Sequence, residues 1–528
     1  MCSLARSLRA LAWLTSAAVL AGACIAGETT ESRPPELSSR PERGGTLTVV
    51  LEDPVVDLDP LRSGSVSDRD VQHQIYDSLV RIDPSGKIIP WLASPAFSEG
   101  NTVVTFALRN GVKYHDGTPF DAESVKWNLE RYKSAKGSLR AGELAPISAI
   151  DVLDPLTLRL KLKAPFPSLL SNLVDRAGMM LSRRAVEAGG EDFTRKALKA
   201  GTGPFILTEP IKDDRVAVDR NPDWWGRDSG GNALPYLDRV IYRSIKDGDV
   251  RVANILTGAA HVASRINGKD IAQVKTAASL RYQEKRGYNF GSLIPNRAPG
   301  FIFNDGRYVK AVAMAIDRAE LLAGFVGLGA VGYGAIAPPH FAFDDSFRPY
   351  EIPDPVAAKK LVQEAGRGPL RFDLLIQSGD PAMQQIGLLI QSQLAKADIT
   401  ADLRTTSLGE ILKLQSDRAF SGMTLFGWSG RIDPDGNTYD HLRTGGVSNW
   451  SSYSNAQVDR LLDEQRSTLD EAQRRAALRA AERIYVVEDP ARIWYRFGAV
   501  QLLTAQAVRG LEPYPDGLVR MQYAWLGK

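Results

Sequence analysis

Apolar and polar residues alternate without a break across 156–162 (Leu-Thr-Leu-Arg-Leu-Lys-Leu). A period of two puts the leucines on one buried face of a strand and leaves Thr157, Arg159 and Lys161 in water. Thr46–Leu51 and Val103–Leu108 are also β-rich runs, and a turn-forming Asp59-Pro60 comes after the first. Elsewhere the period lengthens to that of a helix. Asp121 is placed to cap a helix running through Tyr132, 308–324 reads as helix interrupted near Asp317, and Ser454 is placed to cap a helix whose Val458, Leu461 and Leu462 share a face. The clearest helix is 470–487. Its Ala477, Ala480, Ala481 and Ile484 are expected inward, its Arg475, Arg479 and Glu482 outward, and it stops at Asp489-Pro490. Strands and helices interleaved in this way imply α/β or α+β lobes, with no internal repeat that would point to a solenoid or propeller.

The chain has 528 residues, 44% hydrophobic and 24% charged. It is too long for one core and suits about two or three domains, while disordered, collagenous and multispan membrane classes are excluded. A net charge of +3 gives no field for a polyanion, so no nucleic-acid partner is implied. Both cysteines, Cys2 and Cys24, stand at the extreme N-terminus. The rest of the chain therefore has no internal disulfide, no thiolate zinc site and no cysteine nucleophile.

That N-terminus reads as an export signal over 1–23: Arg6 and Arg9 supply positive charge, and the apolar run 10–20 is too short to span a bilayer. Leu20-Ala21-Gly22-Ala23-Cys24 resembles a bacterial lipobox, which would make Cys24 a lipidation site, although Ala21 stands where that pattern favours Leu. The same Ala21-Gly22-Ala23 also fits an ordinary A-x-A cleavage site, so anchoring and free secretion both stay open, and either takes the mature protein out of the cytoplasm. Pro, Ser, Glu and Arg dominate the next stretch of chain, and 24–43 is expected to be a flexible tether.

The run Phe106-Ala-Leu-Arg-Asn-Gly-Val-Lys-Tyr-His-Asp-Gly-Thr-Pro-Phe120, continued by Asp121-Ala-Glu-Ser-Val125, resembles the signature of the peptide/nickel class of ABC-transporter solute-binding proteins. Around it, in that family's order, stand Gly44-Gly-Thr-Leu-Thr-Val49, Leu58-Asp-Pro60, Tyr76-Asp-Ser-Leu-Val80, Gly201-Thr-Gly-Pro-Phe205, Arg220-Asn-Pro-Asp-Trp-Trp-Gly226, Ala315-Ile-Asp-Arg318 and the block 427–435. The resemblance implies an α/β, two-lobed periplasmic-binding-protein fold of type II, large peptide-binding class, with a ligand cleft and hinge between lobes. It implies lobe I over 44–270 with a β-rich subdomain at about 61–190, lobe II over 271–495, and a return to lobe I over 496–528. The implied partners are a peptide or other small organic solute and the permease of an ABC importer, with the receptor acting as a monomer. Nickel-chelate, sugar, opine and anionic peptide-derivative ligands belong to the same class. A secreted hydrolase, and a signalling or chaperone-like receptor without transport, are the readings outside it.

The residues themselves argue for binding and against catalysis. Gly201-Thr-Gly-Pro-Phe lacks the Lys and Ser/Thr of a phosphate-binding loop and reads as a hinge-proximal turn. Asp433, Asp435 and Asn437 alternate as in a calcium loop, yet Thr438 and Thr444 stand where Gly and Glu are needed. The five histidines are scattered, Ser429 has Arg431 where a nucleophile elbow needs Gly, and no metal or cofactor is expected. The segment 425–440 carries instead what a ligand cleft needs: an aromatic surface in Trp428, then a polar loop with Arg431, Asp433 and Asp435. In the resembled peptide binders an Asp near this point pairs the ligand's α-amino group, and here Arg431 takes about that place. A guanidinium holds a carboxylate or phosphate. Arg431 therefore selects an anionic ligand group if it faces the cleft unneutralised, and braces the loop if Asp433 or Asp435 neutralises it. By resemblance Asp59, Tyr76 and Asn296 are further candidates for the cleft wall.

Overall fold

A computed structural model describes residues 40–527 apart from Glu99, Asp213, Asp214, Arg265, Asn267, Val326, Gly327, Arg367 and Asp380. The export signal, Cys24 and the tether up to residue 39 lie outside the described residues. At the tether's end Arg43 is docked: it donates to the Ala233 carbonyl and lies 5.9 Å from the Tyr236 ring centroid.

One sheet of eleven strands runs through both lobes. Its first half is Thr400–Thr406, Arg371–Gln377 and Met423–Trp428; its second is Val262–Ala263, Thr46–Leu51, Arg239–Ser244, Arg215–Arg220 and Phe205–Leu207. Two long antiparallel strands, Leu280–Pro295 and Ile493–Ala505, join the halves, and Ala330–Val331 pairs on the second of them. They pair from Leu280↔Ala505 to Arg286↔Ala499, slip, and resume at Phe290↔Phe497. The residues 287–289 thus bulge over Gly498, where a Cβ would come within 2.2 Å of the Asn289 side-chain nitrogen and would push that side chain aside. The apolar cores divide at the same place. One gathers Leu47, Val71 and Leu158 with Leu502 and Met521; others gather Val312, Leu374 and Leu425, and Tyr453, Leu478 and Trp494. Ile271 and Val274 pack with Val50, Ile255 and Leu503, on the lobe I side.

Lobe I carries a four-stranded antiparallel sheet, Ala93–Ser98, Val103–Leu108, Thr157–Leu162 and Ile147–Asp154. The alternation at 156–162 reads out as expected: Leu158 and Leu160 are fully buried and Lys161 is exposed. The helix Ala122–Ser134 beside it starts in a capping box in which the Asp121 carboxylate accepts the Ser124 amide and the Ser124 hydroxyl accepts the Asp121 amide. Gly201 and Gly203 press against the Ile75 carbonyl, and His115 bonds both their carbonyls. The signature run and the Gly-Thr-Gly-Pro-Phe turn therefore lock each other inside lobe I. That turn opens the sheet's edge strand, several strands from the crossing pair, and is not hinge-proximal.

Two helix details differ from the sequence reading. Asn455, not Ser454, caps Ala456–Arg466, because the Ser454 hydroxyl is taken by Thr444 at 3.0 Å. In Glu471–Arg483 the inward stripe is Arg474, Ala477, Leu478, Ala481 and Glu482, while Ala480 is exposed. Alanines occupy both faces of that helix, so their spacing does not define its inner one.

Candidate functional site

A cavity of about 660 Å³ separates the β-rich subdomain of lobe I from lobe II. Glu143, Lys163 and Phe166 form one wall; Trp428, Arg431, Asp440 and Arg466 stand opposite. The walls meet where the Arg466 guanidinium lies 5.3 Å from the Phe166 ring and where Ile432 packs against the lobe I core. The strand Met423–Trp428 delivers the far wall: Met423 to Leu425 are buried, and Trp428 comes out at its end against the edge of His441, 4.4 Å between ring centroids.

The loop beyond Trp428 is clamped at three points. Buried Asn437 accepts the Trp428 indole N–H at 3.1 Å and the Arg431 amide at 2.9 Å, and donates to the Ala335 carbonyl at 3.2 Å. His340 accepts the Ala337 amide on Nδ1, so its Nε2–H donates to the Arg431 carbonyl at 2.8 Å; burial holds its pKa down at about 4 and keeps the ring neutral. The carboxylates form the third clamp. Asp433 is bidentate to Arg474 at 2.6 and 3.0 Å, and buried Asp435 is bidentate to Arg466 at 2.7 and 2.8 Å and accepts Gln465.

Neither aspartate neutralises Arg431. Its Nη1 donates to the Gly430 carbonyl at 2.8 Å and the Ser429 hydroxyl at 3.3 Å, and the guanidinium lies 4.5 Å from the Trp428 ring. No carboxylate among the described residues pairs with it. It is exposed on the cavity wall, and the desolvation it meets there lowers its pKa from the usual arginine range. Glu143 opposite is committed to Arg140 at 2.7 Å, and Asp463 at the rim to Arg443 at 2.9 Å. Asp440 is the cavity carboxylate with no ion pair among the described residues, and burial raises its pKa.

Of the candidate residues, Trp428, Arg431 and Asp435 share the cavity wall; Asp433 stands behind it on Arg474. Three others are corrected. Asp59 is buried in an ion pair with Arg131, Tyr76 is buried with its hydroxyl on the Leu58 carbonyl, and Asn296 is buried with its amide on the Arg418 and Phe420 carbonyls. Their polar groups are satisfied internally, and none of them lines the cavity. The sequence reading missed Asn437 as the knot of the loop, Asp440 as a free carboxylate, and the whole near wall. Asn437 carried a signal, as the third oxygen of the rejected calcium pattern; Lys163 carried none.

The profile of the bacterial extracellular solute-binding proteins, family 5, middle region, matches residues 87–450. The chain belongs to this family. The family 5 protein described here is 28% identical over 468 residues to the glutathione-binding protein GsiB of Shigella boydii serotype 4 (strain Sb227), covering 85% of this chain and 88% of GsiB. Its fold matches AppA of Bacillus subtilis, an oligopeptide-binding protein solved with a nonapeptide, at TM-score 0.77, 20% identity, and coverage of 93% of this chain and 100% of AppA. It likewise matches AgaA of A. tumefaciens R10, solved with agropinic acid, at TM-score 0.77, 26% identity, and coverage of 91% and 99%. No helix among the described residues of this solute-binding protein is long and apolar enough to cross a membrane.

Proposed function

We propose that this receptor captures a peptide or peptide derivative bearing a carboxylate, closes its lobes around it, and hands it chemically unaltered to an ABC permease. The observation that carries the reading is Arg431, a cavity guanidinium left without a carboxylate because Asp433 and Asp435 are spent on Arg474 and Arg466. Asp440 supplies the opposite pole for a ligand ammonium, and Trp428 and Phe166 give apolar surface between them. The name of GsiB supports glutathione and other acidic di- and tripeptides as first probes. AgaA, at 26% identity, supports an opine as the second reading. The protein works as a monomer, the lobes turn about the bulge at 287–289 and Gly498, where the pairing of the two crossing strands slips, and ligand contacts to both walls favour the closed arrangement.

A thermal-shift screen of the mature protein is expected to find at least one stabilising ligand among glutathione, acidic dipeptides and opines. Stabilisation by neutral sugars alone would remove the reading. We further propose that Cys24 is lipidated, on the pattern Leu20 to Cys24. Palmitate label that disappears in Cys24→Ser is the expected result, and an unlabelled wild-type protein would mean free secretion.

A further inference from the structure

A second cavity, of about 220 Å³, lies within lobe II beside the two crossing strands, well apart in its lining from the interlobe cavity. It is smaller than the roughly 300–1,000 Å³ common for drug-sized ligands, so it suits one small solute. Six carboxylates and guanidiniums line it: Arg286, Asp344, Asp345, Arg348, Glu351 and Glu482. Four of these are matched, Asp344 with Arg479 at 3.4 Å, and Arg348 with Asp345 at 3.2 Å and Glu351 at 3.3 Å. The other two are not. The Arg286 guanidinium has no hydrogen bond or ion pair among the described residues, and the side chain is exposed. Glu482 is only 5% exposed, has no cation within ion-pair distance among the described residues, and is held by the Ile336 amide and the Tyr485 hydroxyl, each at a long 3.3 Å. Phe343 and Phe497, in the same lining, meet edge to face, 6.0 Å between centroids, as an apolar wall.

We propose that this second cavity binds a free α-amino acid with an apolar or aromatic side chain, its ammonium on Glu482, its carboxylate on Arg286 and its side chain against Phe343 and Phe497. The ligand's two charges complete the two unmatched protein groups, and its side chain covers the aromatic wall. Burial, the largest influence on Glu482, lifts its carboxyl pKa to about 8, so the unliganded site holds it mostly protonated at neutral pH and it releases that proton to solvent when the ligand ammonium docks. The cavity is too small for the peptides the interlobe cavity admits.

Calorimetric titration of the purified full protein with L-phenylalanine is expected to give saturable binding at about 1 mM or tighter. Phenethylamine and 3-phenylpropionate, each lacking one charge, should bind at least about tenfold more weakly. Arg286→Ala, a change at an exposed side chain that leaves the core intact, and Glu482→Gln, with folding checked by its melting curve, should each weaken L-phenylalanine by about tenfold or more. Absence of binding at about 10 mM, or equal binding of the two truncated probes, overturns the site. So does loss of L-phenylalanine binding in Arg431→Ala with none in Arg286→Ala, which would put the amino acid in the interlobe cavity.

Discussion

Replacing Asp435 with alanine is expected to destabilise the fold by about 3 kcal/mol and to lower ligand affinity with it. Asp435 is 1% exposed, and both its oxygens are engaged, on the Arg466 fork and on Gln465. Removing it leaves the Arg466 charge unpaired beside Tyr439, whose ring centroid is 3.2 Å away, and strips Gln465 of its acceptor. Loss of a buried charged partner costs more than the pair itself contributes, because the remaining group stays desolvated. Asp435→Asn keeps the shape and one acceptor and should lose less. Urea unfolding measures both. Equal midpoints for Asp435→Ala and wild type would show that the pair is idle.

Arg431→Ala is the second large effect, expected on binding and not on stability. Its polar contacts are to Ser429 and the Gly430 carbonyl, its stem lies over Gly436 and its guanidinium over the Trp428 face, and the loop is clamped by other residues, so the fold should melt nearly as before. A carboxylate ligand should bind about 2 kcal/mol more weakly, roughly thirtyfold. Arg431→Lys should recover part of that loss, since an ammonium keeps the charge but not the two parallel bonds. Titration with the ligand found in the thermal-shift screen decides it. Unchanged affinity would reduce Arg431 to a brace, and an equal loss with an uncharged ligand would mean that the arginine acts through packing on Trp428.

Local rules were enough for much of the molecule. The leucine alternation at 156–162, the Asp121 cap and the break at Asp317 depend on neighbours a few residues away, and each reads the same in the structure as in the chain. The site is legible only in part. Trp428 and Arg431 lead from a buried strand into a polar loop, a pattern visible along the chain. Whether Arg431 is free could not be read there, because the competing partners of Asp433 and Asp435 are Arg474 and Arg466, some 30 to 40 residues on. Asp59, Tyr76 and Asn296 were misplaced for the related reason that a polar residue in a family block reads alike whether its oxygen meets a ligand or a carbonyl.

Glu482 shows the limit most sharply. On helical spacing it stands with Arg475 and Arg479 on a charged outer face, yet the helix rolls it under the 334–336 segment into a cavity wall. From the order of its residues alone, this chain determined its mixed α/β elements and the family to which it belongs, since each depends on patterns a few residues long. Which charges end up paired and which are left facing a cavity was decided only by the tertiary structure. Charge pairing depends on distances of about 3 Å between residues far apart in sequence, and packing alone sets those distances.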